Sequence, residues 1–365
     1  MRFSLTHLGT VSMSVGLCLM TQSGLAQTTP CTSVKDATPS NIASCTFSNE
    51  EKAILLVDWM RDPNVQKDAW SDFQKLAKYL RSLNDPRTGE FVVSLYKEAT
   101  LSDVCKLVLL QTFGNLPDLR IKEWVLNTID TADMWFLSVA YKALPVSSGP
   151  FDPRITKATI RILSNYPAYD WQTTEVAYKW IAMGLKAAVL PGIDHLRELE
   201  RETMSGTYSS YFCTQKEAAN GGNGGTYFYP SYLDYIGNAI GSMGALKEVR
   251  AKEIVTLFAK HRCVTLQKAA QSALGQIELG EKITAIRKVT KTYAPDLSWA
   301  FEYIRTHDGN YHSTLMEILG SLEFAAAKNL TAKTQVIAFA KKEYSEGYHI
   351  GDEEVQAYLK KLSGI

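Results

Sequence analysis

The chain has 365 residues, of which 45% are hydrophobic, and it carries 39 basic and 38 acidic residues for a formal net charge of +1 at pH 7. This balance argues against nucleic acid as a partner, because phosphate binding needs a clear basic excess or a basic stripe. The hydrophobic fraction is sufficient for a large core, and the length alone would suggest two or three domains.

Residues 1–26 have the pattern of a secretory signal peptide. Arg2 precedes an apolar stretch over 11–20, and a small-x-small cleavage site ends at Ala26, before a polar segment. We therefore expect export to the periplasm or the extracellular space. No later segment reaches the roughly 18 uncharged apolar residues of a membrane span, so we expect no transmembrane segment in the mature chain. Without Arg2, 38 basic residues balance 38 acidic ones.

Five cysteines remain after this cleavage, and disulfide pairing is expected in an oxidising compartment. Cys31 and Cys45 bracket a loop rich in Thr, Ser, Pro and Asn that has little core of its own, so we predict a disulfide between them. A second pair is predicted between Cys213 and Cys263. Cys105 lies in an apolar helix, where a buried free thiol behaves as a small hydrophobe. The cysteine spacing does not match a zinc site, and we predict no metal ion and no cofactor.

Helix signals dominate residues 48–204, where capping residues precede apolar stretches of 3.6-residue period. Such signals occur at Ser48 to Glu51, Thr100 to Asp103, Asp152 to Pro153 and Asp170 to Thr174. The last of them predicts a helix over 176–189 that ends at Pro191 and Gly192. No stretch alternates in the manner of a β-strand, so the predicted fold class is all-α.

A glycine- and tyrosine-rich insertion at 205–230 interrupts the helical pattern. Glycine runs can cradle phosphate, but Pro230 and the absence of a nearby lysine argue against that use here. Two interpretations of the insertion stand, since long loops are often either functional or disordered. One is a flexible surface loop. The other is a loop whose tyrosines, Tyr227, Tyr229 and Tyr232, fold over a concave face and grip a peptide or a sugar.

Three glycines recur in apolar helices of the C-terminal part, residues 231–365. They are Gly241, Gly275 and Gly320, separated by 34 and 45 residues. Glycine in a helix costs about 1 kcal/mol relative to alanine, so we predict close helix–helix approach at these positions. Each neighbouring amphipathic helix has one face to bury, and stacking of successive helices, as in a solenoid, would bury it.

Two stretches, Lys247–Val255 and Pro117–Val125, each carry an acidic residue, then Val-Arg or Leu-Arg, and then an apolar run. In this pattern they resemble the HEAT family. The glycine intervals also bracket the roughly 40–47 residues of HEAT and armadillo units. The resemblance implies an α-solenoid of stacked antiparallel helix pairs. We expect a cysteine-containing loop at 27–47 before these pairs, and repeats on both sides of the insertion. It also implies a scaffold or binding surface, although fold does not determine function.

The richest polar cluster lies at a predicted helix–helix connection, Arg305 to His312. Its two imidazoles and one carboxylate could hold a metal or act as acid and base if the loop turned them together, although a polar turn explains the same residues. These groups are His307, Asp308 and His312. No His-Glu-x-x-His, Gly-x-Ser-x-Gly, Walker or Cys-x-x-Cys motif occurs in the chain.

The sequence favours an exported, non-catalytic binding or scaffold protein that engages a protein or peptide along a helical-repeat surface. The predicted binding residues are Tyr227, Tyr229, Tyr232, Trp299 and Arg305. The alternative is a secreted all-α polysaccharide lyase or hydrolase of helical toroid type, which would bind a glycan. Its acid–base residues would be His307, Asp308 and His312.

Overall fold

The computed structural model describes residues 31, 35, 37–165, 170–204, 211–212, 226–227, 230–307, 309–347 and 351–364. Within these ranges the chain is helical, apart from a parallel pairing of two short strands, β1 (Tyr211–Phe212) and β2 (Thr226–Tyr227). The prediction of an all-α fold is confirmed. Over the same ranges, none of the helices combines the length and the apolar character needed to cross a membrane. The chain divides into two compact units, with the boundary after Thr88.

The first unit contains the N-terminal loop and short helices. These are α1 (Asn49–Arg61), α2 (Pro63–Lys67) and α3 (Gln74–Ser82), with a 3-10 turn at Ile42–Ser44 and a π-helical turn at Ala69–Phe73. The predicted capping box is present, because the Ser48 side chain accepts from the Glu51 N–H and the Glu51 carboxylate accepts from the Ser48 N–H. The predicted disulfide between Cys31 and Cys45 is also present, with the two Cα atoms 4.4 Å apart.

The second unit consists of successive helices whose principal contacts join helices one or two places apart in the chain. Its helices before the insertion are α4 (Thr88–Tyr96), α5 (Asp103–Phe113), α6 (Leu119–Thr131), α7 (Met134–Ala143), α8 (Pro153–Ser164), α9 (Trp171–Ala182) and α10 (Val189–Met204). Those after it are α11 (Pro230–Ala245), α12 (Lys252–Phe258), α13 (Val264–Arg287), α14 (Ser298–Thr306), α15 (His312–Lys328), α16 (Leu330–Glu346) and α17 (Glu353–Ser363). Short 3-10 turns lie at Lys186–Ala188, Val249–Ala251 and Gly309–Tyr311.

The prediction of close helix approach at the three recurring glycines is wrong. Among the described residues, a Cβ atom built on Gly241 or Gly275 would meet nothing within 4 Å. At Gly320 it would meet only the Tyr358 hydroxyl, at 3.7 Å. These glycines therefore lie on open parts of their helices, where a side chain has room.

Close approach occurs instead at two neighbouring glycines of the same helices. A Cβ on Gly244 of α11 would lie 2.7 Å from the Cα of Ala273 in α13. A Cβ on Gly280 of α13 would lie 2.5 Å from the Cβ of Lys247. The absence of side chains at these two positions is what lets α11 and the turn after it pack against α13.

The helix predicted over 176–189 is also divided differently. α9 ends at Ala182, and Gly184 adopts a positive φ of 105°, which glycine reaches without steric cost. Pro191 lies in the first turn of α10 and does not end the preceding helix. Proline suits a first helical turn because the N–H groups there have no partner within the helix.

The other cysteines are partly described. Cys105 is buried and is not part of a disulfide, as predicted. Cys263 is buried and bonded in a disulfide. Cys213, its predicted partner, lies outside the described residues.

Candidate functional site

An open groove of about 770 Å³ runs along α6, and we call it the α6 groove. Seven of its lining residues come from α6 itself: Leu119, Arg120, Glu123, Trp124, Asn127, Thr128 and Thr131. Their spacing of three and four residues places them on one face of the helix. Because they include the first and the last residue of α6, the groove follows that face for about 18 Å at 1.5 Å per residue.

Aromatic and apolar side chains form the floor of the α6 groove. The rings of Tyr96 and Trp124 meet edge to face with their centroids 4.8 Å apart. Val93 and Phe136 add apolar surface from α4 and α7. Leu119, the first residue of α6, is 83% exposed at one end. An apolar floor in an open channel is typical of a surface that becomes buried on binding.

Most charged groups at the edge of this groove already have partners. The Arg120 guanidinium lies 2.8 Å from Asp118. That side-chain hydrogen bond is also the main reason why the pKa of Asp118 is lowered. Glu123 pairs with Arg154 at 2.7 Å, which lowers the pKa of Glu123. The groove therefore presents apolar surface framed by neutralised charges.

One polar group of the groove is buried without a partner. The indole Nε1–H of Trp124 has no hydrogen-bond acceptor among the described residues, although the side chain is only 6% exposed. Burial raises the pKa of Tyr96, and the nearby side chains of Thr128 and Trp124 offset part of that increase, although Tyr96 and the Trp124 Nε1–H do not meet the geometry of a hydrogen bond. An unpaired buried donor is costly, and the Trp124 Nε1 atom is covered by the protein itself.

A second, smaller groove of about 470 Å³ lies between α13, α14 and the turn that follows α14, and we call it the Trp299 groove. It contains two of the residues singled out in the sequence, Trp299 and His307. Aromatic rings cluster where α14 ends. The His307 ring stacks on Tyr303 with centroids 3.8 Å apart, and the Tyr311 ring stands edge-on to His307 at 4.6 Å.

The environment of His307 determines its tautomer. Its Nδ1 lies 3.0 Å from the carbonyl oxygen of Tyr303 and 3.0 Å from the Thr306 hydroxyl. A carbonyl can only accept, so Nδ1–H donates to it and Nε2 is the acceptor of the neutral ring. The predicted imidazole is therefore oriented by its own helix.

The second predicted imidazole, His312, has other partners. Its Nδ1 lies 2.7 Å from Asp352 and its Nε2 lies 3.2 Å from Glu354, at the start of α17. The hydrogen bond to Asp352 is the main reason why the pKa of His312 is raised. His307 and His312 thus engage different groups, and Asp308 lies outside the described residues. Among the residues that are described, no group of three His, Cys, Asp or Glu side chains could hold a metal ion.

Arg305 and the tyrosines occupy different settings. The Arg305 Nε donates to the carboxylate of Glu343 at 2.7 Å, and its guanidinium lies 5.4 Å from the Phe339 ring centroid. Glu343 is fully buried, so Arg305 neutralises an interior charge. Tyr232 is half-buried and packs on a neighbouring tyrosine. Tyr229 and the side chain of Tyr227 lie outside the described residues.

A buried polar network around His195 carries no sequence motif. Its Nδ1 lies 3.0 Å from the Tyr178 hydroxyl, and its Nε2 lies 3.3 Å from the Tyr235 hydroxyl. The Tyr178 hydroxyl donates its one proton to the carbonyl of Gly192, so it must act as an acceptor towards His195. The proton of the neutral His195 ring therefore lies on Nδ1. Burial lowers the pKa of His195 to about 4, which keeps the ring neutral at pH 7.

No protein-family model matches this chain, and neither the curated proteins nor the solved structures contain a significant match. The α6 groove was not predicted from the sequence, because Trp124 has the helix-periodic position of a core residue. The available signal was Leu119, an apolar residue directly after the helix cap Asp118.

Proposed function

We propose that this chain is an exported, non-catalytic protein that binds a protein or peptide partner through the α6 groove. A single observation carries the proposal, namely that one whole face of α6, from Leu119 to Thr131, lines an open channel with an aromatic floor. An extended peptide rises about 3.3 Å per residue, so some 18 Å of groove accommodates about five or six residues.

The helical-repeat architecture and the export route belong to the same proposal. Contacts between helices one and two places apart in the chain support a HEAT-like solenoid of stacked helix pairs, in which each repeat packs on its neighbours. The signal-like pattern of residues 1–26 supports a periplasmic or extracellular location. The disulfide between Cys31 and Cys45 is consistent with an oxidising compartment.

Site-specific photocrosslinking in the native compartment tests the proposal, with the crosslinking amino acid placed at Leu119. Leu330 is a matched control, because it too is the first residue of a capped helix and is 79% exposed, against 83% for Leu119. We expect a discrete protein or peptide adduct at Leu119 and none at Leu330. Identical adducts at both positions, or no adduct at Leu119, would contradict the proposed site.

The polysaccharide-degrading enzyme is a second candidate, supported by the Trp299 groove. There Glu278 and Glu302 line the same cleft as an aromatic ring, and glycoside hydrolysis uses two carboxyl groups beside the sugar. The acid–base role predicted for His312 has less support, because carboxylates engage both of its ring nitrogens. Turnover of a glycan by the wild type and its loss in Glu302→Gln would favour this candidate. No turnover across a panel of polysaccharides would count against it.

A further inference from the structure

The Trp299 groove has an excess of negative charge. Its charged lining residues are two carboxylates, Glu278 and Glu302, and one ammonium, Lys282. Neither carboxylate has an ion-pair partner within 4.0 Å among the described residues. The cations that act on them at longer range, Lys252 and Arg305, are each paired with another glutamate at 2.7 Å. Glu278 and Glu302 are therefore available to a ligand.

The aromatic walls of the groove add to this preference for a cation. The faces of Trp and Tyr rings carry negative electrostatic potential and attract ammonium and guanidinium groups within about 6 Å. One ammonium of the chain already occupies such a position, because Lys282 Nζ lies 6.0 Å from the Trp299 ring centroid. Lys282 thus stands where the charged group of a ligand would be held.

We propose that the Trp299 groove binds a lysine or arginine side chain of the peptide partner. Trp299 supplies the ring face, Glu278 and Glu302 supply the counter-charge, and Lys282 competes for the same position. The inference rests on the proposed function, since the partner supplies the cation. A neutral sugar would also pack on Trp299 and donate its hydroxyl groups to the carboxylates, but it would leave their negative charge without a counter-charge.

A substitution at Gly275, in the wall of the groove, would block ligand binding. Gly275 lines it, and a Cβ added there meets nothing within 4 Å, so Gly275→Met fills the groove without disturbing the packing. Gly241→Met is the matched control, because Gly241 is equally open and also lies in a long helix, outside the groove. Both substitutions replace glycine by a good helix former, so neither should unfold the protein.

Calorimetric titration of the full chain with short peptides tests the proposal. The probes are an acetylated Gly-Lys-Gly amide and the same peptide with an Nε-acetylated lysine, which has the same backbone but no charge. We expect the acetylated lysine to bind at least about tenfold more weakly. We expect Glu302→Gln to weaken binding of the charged peptide about threefold, as for a partly exposed ion pair. Gly275→Met should abolish binding, and Gly241→Met should leave it unchanged.

Lys282→Met distinguishes a competing ammonium from an ordinary contact with the ligand. Removal of the competing ammonium should strengthen binding of the charged peptide about threefold, whereas loss of an ordinary contact would weaken it. The proposal is overturned if both peptides bind equally, if Lys282→Met weakens binding, or if only neutral disaccharides bind. Failure of the peptides together with a discrete adduct at Leu119 would refute this inference and leave the proposed function intact.

Discussion

At the scale of single residues, burial lowers the pKa values of His195 and His261, and neighbouring carboxylates raise that of His312. His195 is 2% exposed, and both its nitrogens are used by tyrosine hydroxyls, so its neutral form is fully hydrogen-bonded. His261 is also buried, and its pKa is likewise lowered to about 4, mainly by burial. His312 is more exposed and is held by carboxylates, so its pKa shifts in the opposite direction.

These shifts predict that the protein loses stability in acid. As the pH falls below 6.5, the unfolded chain binds protons at His195 and His261 before the folded chain does, and the free energy of unfolding falls until about pH 4. Each histidine contributes up to about 3 kcal/mol to this loss. His312 acts in the opposite sense, because its contribution is present below pH 6.5 and is lost as the pH rises through its raised pKa.

Denaturant unfolding of the wild type and His195→Gln between pH 4 and pH 7 measures the effect. The variant should be less stable than the wild type at pH 7, because two tyrosine hydroxyls lose a well-placed partner. Its stability should also depend less steeply on pH. An unchanged pH slope in His195→Gln would show that this histidine does not titrate as described.

Arg305 neutralises a buried carboxylate, a role distinct from the partner binding predicted from the sequence. Its pairing with the fully buried Glu343 predicts that Arg305→Met leaves an interior carboxylate without a counter-charge. We expect a loss of about 2 kcal/mol in unfolding free energy, less than the 3–5 kcal/mol of a fully buried pair because Arg305 is 36% exposed. The double variant Arg305→Met, Glu343→Met should recover most of the loss. Equal losses in the single and double variants would contradict this account.

At the scale of helices, glycines at similar sequence positions have opposite roles. Gly275→Ala should stabilise the protein by up to about 1 kcal/mol, because the added methyl group meets open space and alanine is the better helix former. Gly244→Ala should destabilise it, since the methyl group would lie 2.7 Å from the backbone of Ala273. The shift in thermal midpoint of each variant relative to wild type checks both signs. If Gly275→Ala destabilises the protein instead, that result would support the close helix approach predicted from the sequence.

The sequence predicted helix starts well and helix contacts poorly, for a physical reason. A cap such as Ser48 or Asp152 acts within one turn, so its residues are adjacent in the chain. Whether a glycine faces a neighbouring helix depends on the rotation of the whole helix, which the spacing of Gly241, Gly275 and Gly320 does not encode. Pro191 was misread because proline both ends helices and begins them.

At the scale of the whole molecule, the same distinction separates what could be predicted from what could not. The all-α class and the disulfide between Cys31 and Cys45 followed from local patterns. The α6 groove did not, because the face of α6 that remains uncovered depends on where α4, α5 and α7 pack. Trp299 and His307 were singled out from the sequence and share a groove, but its unpaired carboxylates, Glu278 and Glu302, come from two different helices.

The central claim is that the open face of α6 is the binding surface. The most direct measurement is the affinity of the partner crosslinked at Leu119 for two variants, Leu119→Asp and Leu330→Asp. Each places a carboxylate at the first residue of a helix, which the helix dipole tolerates, so both variants should fold. We expect at least about tenfold weaker binding for Leu119→Asp and wild-type affinity for Leu330→Asp. Unchanged affinity in Leu119→Asp, or equal losses in both variants, would contradict the claim.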